Sequence, residues 1–346
     1  MLTLPHFVSS EIDLRPLNTL ALPGRAEFFA HITKMEQMDA IRKHPELAEQ
    51  RRFILGGGSN LVLSGDFPGL ILYMRLMGRE CSGESAAHYY VSAAAGENWH
   101  EFVNWTLSIH RPGLENLSWI PGSVGAAPVQ NIGAYGVEAG EFLSQVEAFD
   151  LESGKLCRFS AADCAFAYRD SLFKREGWHL SGRYAITRVV FCLPKRWRPR
   201  TGYAELAEEL ARRGADNPAP ADIAGAVSAL RRRKLPDMNV LPNSGSFFQN
   251  PLVSAELAGA LASAHPSLPR YPQPDGRVKL AAAWLIENAG WKGRNLGAAG
   301  MYEKQALVLV NRGGATFKDV QNLTRAVREA VFARFGIHLE PEPVFL

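Results

Sequence analysis

The chain runs to 346 residues, room for two or three domains, each with its own core. A hydrophobic fraction of 47% and a charged fraction of 21% belong to a soluble globular protein, and a net charge of +3 calls for neither a nucleic-acid nor an anionic-membrane partner. No apolar run is long enough to span a bilayer, residues 1–10 lack the basic and apolar regions of a secretory signal, and the nine histidines show no metal-ligand spacing.

The four cysteines form no C-x-x-C pair, and reduced thiols in a cytoplasm are their simplest account. Along the chain, residues 26–32 read as a strand, 34–44 as a helix that Pro45 helps to end, and 52–55 as a second strand. This unit runs into Gly56-Gly57-Gly58-Ser59-Asn60 and the apolar Leu61-Val62-Leu63. Three glycines after a strand make a sharp turn with exposed N–H groups, which suits a pyrophosphate. The motif is neither G-x-G-x-x-G, because Leu61 stands where the last glycine would be, nor a Walker sequence, and a plain glycine turn is the other reading.

Residues 70–74 and 89–94 read as strands and 99–109 as a helix stopped by Pro112-Gly113. The stretch 118–140, SWIPGSVGAAPVQNIGAYGVEAG, is too rich in glycine and proline for a long helix and has no strand alternation. Its interleaved Trp119, Ile120, Val124, Val129, Ile132 and Tyr135 are not those of a disordered linker. It reads either as a wall of main chain laid along a large ligand, with phosphate a good partner for clustered N–H donors, or as a tight loop in an α/β core.

Residues 146–150 and 156–159 flank the hairpin turn Glu152-Ser153-Gly154. Arg169, between Tyr168 and Asp170, has a surface ion pair as its ordinary role. A strand at 188–193 follows, then helices at 204–213 and 222–234. The second helix ends in Arg231-Arg232-Arg233-Lys234, cations that either complement the helix dipole or offer one or two charges to a phosphate. The segment 243–251, NSGSFFQNP, is a polar knot around two aromatics, and no G-x-S-x-G elbow exists to make Ser246 a hydrolase nucleophile. A helix at 280–288, a strand at 306–310, capping-box spacing of Thr316 and Asp319 before a helix at 319–335, and an extended segment 337–346 with Glu340 and Glu342 complete the chain.

Taken together, Asn18-Thr19, LGGGSN at 55–60, PGSVGAAPVQNIGAYG at 121–136, YRDSLFK at 168–174, RRRKLPD at 231–237, GSFFQNP at 245–251 and LEPE at 339–342 resemble one family, the UDP-N-acetylenolpyruvoylglucosamine reductases. The pieces follow in family order over essentially the whole chain, and residues 195–213 resemble the family form in which a loop tyrosine, here Tyr203, closes over substrate. Two departures stand out. Pro343 follows Glu342, where the family more often has a β-branched residue, which bears on the strand pairing there. Met301-Tyr302 replaces a Val-His pair, expected to touch contacts near the nucleotide.

The resemblance implies a mixed α+β and α/β fold: a two-lobed FAD-binding domain of the vanillyl-alcohol-oxidase/PCMH type and a smaller α/β substrate-binding domain. The expected division is residues 1–75 and 76–235 for the two lobes, the second carrying the tyrosine loop, and 236–346 for the substrate domain. FAD, bound non-covalently, would lie between the two glycine-rich stretches. Gly56, Gly57, Gly58, Ser59 and Asn60 would hold it from one; Pro121, Gly122, Ser123, Gly125 and Ala126, then Gln130, Asn131, Gly133, Ala134 and Tyr135, from the other. NADPH would reduce the flavin, which passes hydride to C3 of the enolpyruvyl ether.

The same resemblance implies that Arg169 stabilises the charge developing on the enolate and carboxylate, that Glu342, protonated, shares a hydrogen bond with that carboxylate, and that Ser246 delivers the proton to C2. Tyr203, Arg231, Lys234, Asn250 and Gln305 would hold the UDP-sugar. The implied enzyme is cytoplasmic and monomeric, with no nucleic-acid partner. Another FAD-dependent oxidoreductase, an alcohol or hydroxyacid oxidase, is the nearest rival, and the GSFFQNP and LEPE pieces argue against it. A nucleotide- or RNA-binding protein, motivated by the RRRK run and the pI of about 8.6, is a rival of another class.

Overall fold

Apolar strands and one crossover helix begin the fold of the computed structural model, which describes residues 3–346. Met1 and Leu2, where the sequence reading of residues 1–10 begins, lie outside the described residues. Arg25–Ile32 and Arg52–Leu55 flank Phe67–Met74 in parallel, and Val8–Asp13 adds an edge strand to Arg25–Ile32. Parallel neighbours need a crossover, which the helix Met35–Lys43 supplies; its Met38 and Ile41 are fully buried with Ala30, Ile32, Leu70 and Leu72.

A second, five-stranded antiparallel sheet runs in the order Leu156–Ser160, Leu143–Asp150, Tyr184–Pro194, His88–Ala94, Arg79–Glu84. The helix Trp99–Ser108, capped where the Asn98 side chain accepts from the Glu101 N–H, belongs to its core. Trp99 and Phe102 are wholly buried, with ring centroids 5.8 and 5.0 Å from Phe191. Burial of each such ring stabilises by about 1.5–3 kcal/mol. The Trp99 indole N–H meets the Leu117 carbonyl at 2.9 Å, so its one polar atom is satisfied. The helices Ala204–Arg212 and Pro220–Lys234 close a small core of Leu206, Leu210, Ile223, Ala226, Val227 and Leu230.

These elements form one structural unit, made of residues 3–12, Arg25–Gly58 and Phe67–Arg232; a second unit collects Asp13–Gly24, Ser59–Asp66 and Arg233–Leu346. In the second, Asn243–Ser246, Val308–Asn311, Ala299–Met301 and Asn295–Leu296 form one antiparallel sheet. Leu252–Val253, Val278–Leu280 and Arg270–Pro272 form another, and Val344–Phe345 pairs in parallel with Leu61–Val62. The helix Phe317–Phe335 starts at the expected Thr316/Asp319 capping box and ends at Gly336 with φ 67°. The helix expected over 280–288 starts instead at Ala282, because Leu280 closes a strand; its first N–H donates to the Asn250 side chain at 2.9 Å. All four cysteines are free thiols.

Two buried asparagines tie the N-terminal insertions into the second unit. Asn18 donates to the carbonyls of Leu14 and Leu22 at 2.9 and 3.0 Å and accepts from the Leu22 N–H at 2.9 Å, folding its loop about itself. That loop then offers its Thr19 carbonyl to the Asn243 N–H and its Leu20 carbonyl to the Asn311 side chain, both at 2.8 Å. Asn18-Thr19 therefore braces the strands that present Ser246.

Candidate active site

The glycine turn at residues 56–58 leaves the end of the strand Arg52–Leu55, with Gly58 at φ 62°. The main-chain N–H groups of Gly56, Gly57 and Gly58 have no acceptor among the described residues. Buried or functional donors do not stay unused without reason, and three consecutive N–H groups on a left-handed turn are a donor set suited to a phosphate. A Cβ on Gly57 would stand 2.7 Å from the Gly122 Cα, and one on Gly125 would stand 2.5 Å from the Ala95 Cβ. The two glycine stretches thus touch main chain to main chain. At 57 and 125 glycine is required by this packing rather than by the approach of a ligand, and the stretches form one continuous wall instead of two facing ones. The wall is fixed from behind by the Trp99, Val124 and Gly125 N–H groups, which donate to Gly122, Glu97 and Ala95 at 3.1, 2.9 and 3.0 Å.

Beyond Ala126 the stretch loops back through two left-handed residues, Asn131 (φ 46°) and Tyr135 (φ 48°). The Asn131 side chain is a clamp: its amide donates to Glu138 at 2.8 Å and to the Ala167 carbonyl at 3.0 Å, and its oxygen accepts from the Gly140 N–H at 2.7 Å. This clamp fixes the tight turn that carries Arg169, itself left-handed at φ 54°. The Arg169 guanidinium donates to the Gly133 carbonyl at 2.9 Å, and a Cβ on Gly133 would come within 3.1 Å of it. Arg231 feels this cation: burial first, and Arg169 beside it, push its guanidinium below the usual arginine range, while Tyr135 acts the other way. Arg169, Arg231 and Tyr135 therefore converge in the first unit, two cations that an anion would relieve. Tyr203, the N-cap residue of Ala204–Arg212, packs edge-on to Tyr135 at 5.3 Å. Two residues that the sequence did not single out hold the tyrosine loop: buried Asn116 donates to the carbonyls of Tyr135 and Arg200 at 3.0 and 2.8 Å, and Glu115 accepts from the Trp197 indole at 2.5 Å.

The remaining expected residues lie in the second unit. Ser246 is exposed at the end of Asn243–Ser246, followed by Phe247 and Phe248, both buried. The segment after it runs antiparallel to residues 340–342: Gln249 donates to the Glu340 carbonyl at 2.9 Å, Phe248 bridges to Pro341, and Glu342 donates to the Phe247 carbonyl at 2.8 Å. Val344 then donates to Asn60 at 2.9 Å. Pro343 sits where the chain changes partners, a place that needs no N–H, so this departure leaves the pairing at Glu342 intact. Met301 and Tyr302 are buried, Tyr302 packing with Val308, Val310, Leu235 and Leu241; they are core residues rather than contacts for a nucleotide. The Asn250 oxygen caps a helix, and Gln305 closes a turn through its carbonyl and the Val308 N–H at 3.0 Å.

Residues 26–160 match the family model of an FAD binding domain, so fold and site together define an FAD-dependent protein with a second α/β domain, the class expected from the sequence. Residues 236–346 match the C-terminal domain of UDP-N-acetylenolpyruvoylglucosamine reductase. The reductase of that name from Dechloromonas aromatica (strain RCB) is 60% identical over 338 residues, 98% of this chain and 99% of its own. That of Azoarcus sp. (strain BH72) is 54% identical over 346 residues, covering 99% of each. The chain belongs to the UDP-N-acetylenolpyruvoylglucosamine reductase family. The solved structure of a Thermus caldophilus reductase, 24% identical and covering 98% of both chains, shares the fold with a TM-score of 0.67.

Proposed function

We propose that this chain reduces the enolpyruvyl ether of UDP-N-acetylenolpyruvoylglucosamine to UDP-N-acetylmuramate, an NADPH-dependent, FAD-dependent step in peptidoglycan precursor synthesis. When bound, FAD supplies the hydride it takes from NADPH. The observation that carries the reading is the Arg169, Arg231 and Tyr135 cluster on the same wall as the glycine turn, cations for an anionic substrate beside donors for a pyrophosphate.

In this reading the N–H groups of Gly56, Gly57 and Gly58, with Ser59, Asn60 and the 121–135 wall, hold the pyrophosphate and the ring system. Substrate C3 gains a hydride and C2 a proton. Arg169 holds the carboxylate on which negative charge grows, Glu342 donates a hydrogen bond to that carboxylate from its protonated form, and the Ser246 hydroxyl gives the proton to C2. Tyr203, Arg231, Lys234, Asn250 and Gln305 hold the UDP-sugar. The lobes over 1–75 and 76–235 and the substrate domain over 236–346 are assigned on the same footing, the last supported by the family match to 236–346. The enzyme works as a cytoplasmic monomer without nucleic acid; free thiols support the compartment, and no helix among the described residues is long and apolar enough to cross a membrane.

The test is direct. The purified protein should be yellow, release all its flavin on acid precipitation, and oxidise NADPH only when the enolpyruvyl substrate is present. A colourless protein, or rapid reoxidation by air in place of substrate-dependent turnover, would overturn it.

A further inference from the structure

Trp119 stands at the entrance to the 121–126 wall in a left-handed conformation, φ 61°, which a bulky L-residue adopts only when its surroundings hold it there. Burial does not hold it, since the residue is 37% exposed. Side chains do. The Trp119 N–H donates to His100 Nδ1 at 3.0 Å, and its carbonyl accepts from Arg231 Nε at 3.0 Å. The His100 ring meets the indole edge-on with centroids 4.9 Å apart, and the Arg232 guanidinium lies 4.2 Å over the same indole. Neighbouring Trp99 donates its N–H to the Gly122 carbonyl at 3.1 Å, so one helix start pins both ends of residues 119–122. Gly122 is also the residue against which Gly57 packs.

We infer that His100 is a positioning residue: as the neutral imidazole it holds Trp119 left-handed and thereby fixes the wall at 121–126, and its protonation releases that wall. The effect on flavin rests on the reading of this wall as the FAD site.

The chemistry of the contact requires the neutral ring, because an Nδ1 that accepts from a main-chain N–H carries no proton. The proton then sits on Nε2, which lies 3.3 Å from Asn104 Nδ2; turning that amide over by half a turn brings its oxygen to the same place as the acceptor. The groups facing the ring are Glu101 on its own helix, which favours the cation, and Arg231 and Arg232 from Pro220–Lys234, which oppose it. Burial, the largest influence, also opposes it, so the imidazole is held below its usual 6.5. A group depressed in the folded state contributes above its unfolded pKa and loses that contribution as pH falls through the folded value. The latch is therefore closed at neutral pH and opens on acidification.

The experiment follows release of flavin from the holoenzyme by fluorescence between about pH 8 and pH 5. In the wild type the flavin Kd should rise about 10-fold as pH falls, the effect of losing one hydrogen bond. His100→Asn, whose amide oxygen can take the place of Nδ1 without titrating, should keep the wild-type affinity at high pH and lose that rise. His100→Phe, which offers no acceptor, should bind flavin weakly across the range. A rise in His100→Asn parallel to the wild type overturns the latch while leaving the FAD site in place, and this comparison decides the matter even if His100→Phe does not fold. A wild-type protein that binds no flavin at any pH overturns both.

Discussion

The Glu342 N–H donates to the Phe247 carbonyl at 2.8 Å, which puts the carboxyl-bearing residue directly across from the residue that follows Ser246. A main-chain bridge of this kind fixes the spacing of the two segments without depending on either functional side chain. Ser246→Ala should therefore fold normally. Reduction of FAD by NADPH should stay near wild type, while reoxidation of the reduced flavin by the enolpyruvyl substrate slows by on the order of 10²–10⁴-fold. Ser246→Cys should retain part of the rate. Stopped-flow traces separate the halves, and equal slowing of both would reduce Ser246 to a turn residue.

At Gly57 and Gly125 the neighbours are main chain and a rigid alanine, 2.7 and 2.5 Å from where a Cβ would stand. Neither can yield as a long side chain would. Gly57→Val and Gly125→Val should lower thermal stability and flavin occupancy together. Melting and the flavin-to-protein absorbance ratio check this; fully yellow variants with unchanged melting would contradict the wall.

Asn131→Ala removes three hydrogen bonds at a buried site; the Gly140 N–H and Glu138 must find other partners, and the Ala167 carbonyl keeps only the Asp170 N–H. A loss of about 1–3 kcal/mol in unfolding free energy is expected, read by urea titration. Because the clamp carries the Arg169 turn, kcat should fall even where the protein stays folded.

Lys234→Ala and Tyr203→Phe test the substrate assignments. If these side chains hold the nucleotide-sugar, the apparent KM should rise more than kcat falls, for Lys234 by the effect of a charge-assisted phosphate contact, about 1.5–3 kcal/mol. An unchanged KM in Lys234→Ala would leave that lysine as a helix-end cation.

Cys164 is wholly buried and desolvation, with Asp163 nearby, pushes its thiol up to about 12, whereas Cys81 is exposed. At pH 8 a thiol reagent should label Cys81 rapidly and Cys164 only after unfolding. Peptide mapping of the labelled protein reads this, and fast labelling of Cys164 in the folded chain would contradict its placement.

The elements legible in the sequence were those with local signals. Thr316 and Asp319 announce their helix, Arg25–Ile32 and Met35–Lys43 carry clear periods, and Glu152-Ser153-Gly154 marks its hairpin. The helix Ala255–Ala264, although Ser254 caps it, is not legible in the sequence, because its alanines and glycine blur the apolar stripe. The edge strand Arg79–Glu84 has almost no buried side chains and so no alternation to read. Ala282 reads in sequence as the interior of a helix because its cap, Asn250, comes from 32 positions earlier in the chain. The glycine turn and the 118–140 stretch stand out in the sequence, each open to a ligand-wall or a plain-loop reading, but it does not show that Gly57 meets Gly122, nor that Asn116, Glu115 and His100 brace the loops. Such roles depend on contacts between distant positions and leave no local pattern.

The pairing of Val344–Phe345 with Leu61–Val62 also governs the order in which the molecule can be made. Ser64 donates to the Leu346 carbonyl at 2.6 Å, so the insertion at Ser59–Asp66 acquires its partner strand only after residues 344–346 have been synthesised. Closing a loop of this length costs entropy before any contact rewards it, and high contact order slows folding. The early strands Arg25–Ile32 and Phe67–Met74 can pair on a partly made chain, whereas the segment carrying Asn60 must wait for the one carrying Glu342. A ribosome that stops short of residue 344 therefore releases a chain in which this strand pair cannot form.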